Sequence, residues 1–96
     1  MNIERSSASG RLTAGLSSAI GTTRVQLTDA LPLVRGVQLR AVAGNAGIVY
    51  VGGPEVTATN GYPLAAGENI VLPVAALSQI HVIASQASQS IAWVGI

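Results

Sequence analysis

The chain has no cysteine, no lysine and no phenylalanine, a single histidine, and little charge of either sign. Each absence removes a class of chemistry. Without cysteine there is no disulfide framework, no thiolate nucleophile and no thiolate zinc site, and the redox compartment is left open. Charged residues make up 9% of the 96 positions, against about 25% in an ordinary soluble domain. That is little charge to keep a lone monomer in solution. A net charge of +1 gives no basic stripe for a nucleic-acid backbone. No apolar run approaches the ~18 residues of a membrane helix. The N-terminus "MNIERSSASGR" lacks the basic-then-apolar order of a signal peptide. The expectation is a protein made and kept in the cytoplasm and then built into an assembly, with no nucleic-acid and no membrane partner.

What is present is apolar and patterned. Hydrophobic residues are 49% of the chain, enough for the core of one small domain. The cations are all arginine: Arg5, Arg11, Arg24, Arg35 and Arg40. Its planar, weakly hydrated fork suits pairing at interfaces better than lysine does. Residues 1–21 are rich in Ser, Ala and Gly with scattered apolar side chains. Leu12, Leu16 and Ile20 have helical spacing, but Gly10, Gly15 and Gly21 work against a helix. This segment is read as an N-terminal arm ordered by a partner, with a first strand near 11–16 as the alternative.

From residue 22 the hydrophobic period is two. "TRVQLT" places Val25 and Leu27 on one face, and "GVQLRAVA" places Val37, Leu39 and Ala41 on one face, as half-buried antiparallel strands do. "GIVYVGG" is apolar on both faces and reads as a central or doubly covered strand, with the hairpin loop "GNAG" before it. In "TNGYPLAAGENIVLPV", Asn60-Gly61 is a turn dipeptide in which Gly61 is expected at positive φ, and Gly67 marks a second turn. Pro73 cannot donate to a ladder, so the strand 69–74 should be an edge or end there. The stretch reads as a double corner joining one sheet to an edge strand. "SQIHVIAS" and "QSIAWVGI" supply the last two strands, and "VAALS" has room for one helical turn. The expected fold is all-β: a small antiparallel β-sandwich or jelly-roll-like barrel over residues 22–96, with an N-terminal arm over 1–21.

Catalytic material is thin. His81 lies in an apolar strand, and Asp29 is the only aspartate. A Ser-His-Asp set has no G-x-S-x-G elbow to support it. Glu4, Glu55 and Glu68 share no useful acid-base spacing. No metal or cofactor site is expected, because "AGNAG" and "VGGP" lack the following helix and lysine of a phosphate loop. Trp93 reads as core, and Tyr62 as the aromatic best placed for an exposed contact.

The blocks "RGVQLRAVAGNAGIVYVGG", "TNGYPLAAGENIVLPV" and "SQIHVIASQASQSIAWVGI", covering residues 35–96, resemble a group of small tailed-bacteriophage proteins in their order VYVG, GYPL, GE and VIAS. The resemblance implies a virion component, foremost a capsid decoration (cement) protein: small, β-rich, commonly trimeric and non-enzymatic. It implies a homo-oligomer, with a trimer first, and the major capsid protein or another virion protein as partner. The location implied is the capsid surface, after synthesis in the host cytoplasm. Arg5, Arg11, Leu12, Leu16, Ile20 and Tyr62 are the candidate partner contacts. A tail or head-fibre module, or a host-glycan-binding adsorption domain, is the alternative; an enzyme ranks last.

Overall fold

The computed structural model describes residues 14–27, 33 and 35–96. They form eight strands: β1 Ala14–Ile20, β2 Val25–Gln26, β3 Val37–Ala41, β4 Val49–Gly52, β5 Tyr62–Leu64, β6 Asn69–Leu72, β7 His81–Ala84 and β8 Gln89–Gly95. A single 3-10 turn, Leu77–Gln79, falls at the end of the "VAALS" stretch. There the Gln79 side-chain oxygen accepts from the Ala75 and Ala76 N–H groups at 2.8 and 3.1 Å.

The strands pair as a folded ribbon would. β1 lies against β8, β2 against β7, β3 against β6 and β4 against β5, all antiparallel. The ribbon then rolls up, because β3 also takes β8 and β4 also takes β7. Two four-stranded sheets result, ordered β1-β8-β3-β6 and β2-β7-β4-β5. This is the connectivity of a jelly roll, a double-sheet arrangement of interlocked Greek keys.

Period-two patterning fixes which face of each strand meets the other sheet. Val37, Leu39, Ala41, Ile91 and Trp93 fill the core from the first sheet, and Val49, Val51, Leu64, Val82 and Ala84 from the second. Leu39, Val49, Val82 and Ile91 are each 0% exposed. Burying such a side chain stabilises the fold by about 1.5–3 kcal/mol. The expectation for 37–41 is met residue by residue. β4 is central in its sheet, and its alternation survives: Val49 and Val51 are buried while Tyr50 is half-buried. At β2, by contrast, Val25 is exposed while Leu27, just after the strand, is buried, because β2 is a two-residue edge with nothing beyond it among the described residues.

The double corner is real. β5 belongs to the second sheet and β6 to the edge of the first, joined by the turn 65–68. The Glu68 carboxylate accepts from the Ala65 N–H at 2.9 Å, and the Glu68 N–H returns to the Ala65 carbonyl. β6 is both an edge and finished before Pro73, and Pro63 sits in β5, the edge of the other sheet. A proline's missing donor is harmless only where no neighbour needs it.

Three expectations are corrected. Ala14–Ile20, the C-terminal part of the expected arm, is strand β1, so the domain boundary does not lie at residue 21. "GNAG" is not a hairpin: β3 and β4 lie in different sheets, and the loop arches between them. The Asn45 side chain holds this arch by bonding both the N–H and the carbonyl of Ser90 at 2.8 Å. Buried Gln89 assists by accepting from the Gly47 N–H at 2.8 Å. Lastly, Gly67 has the positive φ of +85° but Gly61 does not. At Gly61 a Cβ would come within 2.6 Å of Tyr50 Cβ and 2.7 Å of Val56 Cγ2, so this glycine is required by close packing.

The two glycines should therefore respond differently to substitution. At Gly67 the cost should follow conformation: Gly67→Val should cost about 1 kcal/mol or more and Gly67→Asn clearly less, since asparagine tolerates the left-handed region. At Gly61 the cost should follow size, rising from Gly61→Ala to Gly61→Val with no relief from asparagine. Urea midpoints of the six proteins (wild type, Gly67→Val, Gly67→Asn, Gly61→Ala, Gly61→Val and Gly61→Asn) test this. Equal sensitivity to asparagine at both sites would show that the distinction fails.

Candidate interaction surface

The named contact residues do not converge. Arg5, Arg11 and Leu12 lie outside the described residues, as do Glu4 and Asp29. Ile20 is a correction: it is 0% exposed and part of the core, not a partner contact. A register shift between Ser17 and Ile20, with Ala19 at φ +60°, separates it from the preceding residues of β1. Leu16 is 62% exposed on the first sheet and Tyr62 is 56% exposed on the edge of the second. They belong to different sheets and cannot form one patch.

The outer face of the first sheet is the broader surface. Its register sets two rows across four strands: Ala14, Val94, Gln38 and Val71, then Leu16, Ala92, Arg40 and Asn69. Val71 is 54% exposed and Leu16 more so, and Arg40 is the only charge in either row. Arg40 is itself engaged, donating from Nε to the Gly67 carbonyl at 3.3 Å.

The outer face of the second sheet is partly covered by the chain itself. The β4–β5 connection folds back so that Val56, 3% exposed, seats on Gly52 and Gly61 apart from the main core. Asn60 closes this loop, accepting from the Thr57 N–H at 2.8 Å and donating to the Glu55 carbonyl at 3.3 Å. A shallow hollow of about 490 Å³ lies beside it, with Gly53, Glu55 and Asn60 on its rim. Arg24 reaches the Val56 carbonyl at 3.4 Å. A second groove, about 260 Å³, runs between β1 and β2, walled by Gly15, Leu27 and Trp93. Trp93 is 8% exposed and its indole lies against Gly15, where a Cβ would meet Cζ2 at 2.6 Å. The tryptophan is core, as its alternating strand implied.

His81 stands across the strand from Gln26 on one side and Gly52 on the other. Its Nδ1 is buried and has no hydrogen-bond partner among the described residues. A triad base needs its Nδ1–H oriented by a carboxylate, and no described residue supplies that contact. Glu68 is occupied in its turn, and no group of three His, Asp or Glu side chains converges on a metal-sized site among the described residues. No helix among them is long and apolar enough to cross a membrane.

No protein-family model, no curated protein and no solved structure matches this chain.

An orphaned buried nitrogen costs free energy that an apolar side chain of similar bulk would not, about 1–3 kcal/mol. His81→Leu should accordingly leave the thermal midpoint unchanged or raise it. A fall of several degrees in differential scanning calorimetry would mean that Nδ1 makes a bond worth keeping.

Proposed function

We propose that this chain is a structural protein of a tailed-bacteriophage virion, a decoration protein that binds and stabilises the assembled shell, and that it works as a homo-oligomer. The observation that carries the reading is the outer face of the first sheet: open, nearly uncharged and dotted with exposed Leu16 and Val71. Such a face is costly to leave in water and is suited to lying on another protein. The order of the VYVG, GYPL, GE and VIAS blocks supports the same class. So does the sparse charge, since a decoration protein spends its life held by neighbours. The jelly roll itself carries no function, because many unrelated activities share it.

In this reading the attachment contacts include Arg5, Arg11 and Leu12, with arginine forks pairing to acidic groups of the shell. Leu16 extends the contact onto the first sheet. A second reading, a host-glycan-binding fibre or adsorption module, draws on Tyr62, whose exposed ring follows the Asn60 rim of the hollow.

Immunogold electron microscopy of purified virions tests the assignment. Label distributed over the shell is the expected result. Label confined to fibres or tail selects the second reading, and its absence from virions overturns both. A truncation refines the test. Removing residues 1–13 leaves β1 to β8 intact and should weaken co-sedimentation with shells. Removing 1–21 deletes β1 and Ile20 and should lower the thermal midpoint as well. Undiminished binding without 1–13 would move the whole attachment onto the sandwich.

A further inference from the structure

Four sheet edges exist in a sandwich of this order, and three are closed to further pairing. β5 is three residues long with Pro63 at its centre. β6 stops at Pro73, and the Val74 N–H donates back to the Leu72 carbonyl at 2.9 Å, a tight turn that takes the chain off the edge. β2 is only two residues long. Proline and shortness are the usual means by which edge strands avoid new partners. β1 has neither. It runs seven residues, Ala14–Ile20, as AGLSSAI, without a proline or a charge. β8 pairs one side of it, and no described residue pairs the other.

We propose that β1 is a strand-addition edge and that its occupant is β1 of a second copy, paired antiparallel about a two-fold axis perpendicular to the sheet. The backbone alternation of donors and acceptors along a free edge is self-complementary in that arrangement. Such an axis also keeps the outer faces of both copies on the same side. Exposed Leu16 side chains are thereby brought together across the joint, extending the row Leu16, Ala92, Arg40 into the neighbour. Ala14, Gly15, Ser17 and Ser18 are small enough to let the strands approach, and no like charges oppose one another. The register shift after Ser17, with Ala19 at φ +60°, bounds the paired segment to about Ala14–Ser18. The first sheet becomes one eight-stranded sheet across two chains. Two-fold pairing makes the dimer the unit, in place of the trimer expected from resemblance. It goes beyond the decoration reading and holds in free solution without a shell.

The test is sedimentation equilibrium of the full chain up to about 0.5 mM, because a joint this short buries less than the standard ~800 Å² per partner and should associate weakly. A reversible monomer–dimer equilibrium is expected. Leu16→Lys should raise the dissociation constant about tenfold or more, by losing the apolar pair and setting two ammonium groups face to face. Tyr62→Lys, at the closed edge of the other sheet, should leave it unchanged. The chain has no cysteine of its own, so Leu16→Cys provides a second readout: oxidation should yield a disulfide-linked dimer at protein concentrations where dimer forms. A monomer throughout, a trimer, or a dimer indifferent to Leu16→Lys would each overturn the proposal. So would failure of the Cys variant to cross-link while dimer persists.

Discussion

The first sheet depends on β8. This strand alone joins β1 to β3, and it brings the only tryptophan into the core. Trp93 pairs with Gly15 on one side and Leu39 on the other, and Leu39 continues the row to Ile70. The large indole is accommodated because its neighbour on the edge strand has no side chain at all. Remove that match and β1 would lose its seat. Along the same strand Ile91 sits fully buried between two small neighbours, Ser17 and Ala41. Close packing of this kind sets a single register, since a shift by one residue would turn Trp93 and Ile91 outward.

Much of this architecture is legible in the sequence wherever side chains alternate strictly or chemistry forbids an alternative. Val37, Leu39 and Ala41 announce a one-sided strand, and Pro73 announces an edge. Gly67 stands at the left-handed position its turn requires. What escapes is what local chemistry does not encode. β1 looks like an arm because an edge strand need bury little, and its exposed Ser and Ala residues carry no period-two hydrophobic signal. "GNAG" has the same turn residues whether the next strand pairs beside the last or crosses to the facing sheet. Only the side chains of Asn45 and Gln89, reaching residues far along the chain, distinguish the arch. Gly61 was legible as necessary but for the wrong cause, because the residue pressing on it, Val56, belongs to a satellite cluster outside the main core.

The candidate contacts divide along the same line. Tyr62 is exposed, as an aromatic beside a turn on an edge strand can afford to be. Ile20 carried the helical spacing of Leu12 and Leu16, yet it faces inward, because the bulge in β1 breaks any simple period. The features that distinguish this molecule are faces and edges: one sheet surface nearly free of charge, the other partly roofed by its own loop, and four edges of which three are blocked. Among the described strands, β1 alone has an edge that neither proline nor shortness closes.

The pairing of β1 with β8 also has a temporal side. β1 cannot meet β8 until residues 14–95 have all left the ribosome, and a domain dominated by such distant pairings folds in milliseconds to seconds, not microseconds. During synthesis both sides of β1 are bare, with no charge or proline to deter a stray strand. Pro63, Pro73 and the shortness of β2 leave β1 as the described edge most open to premature association.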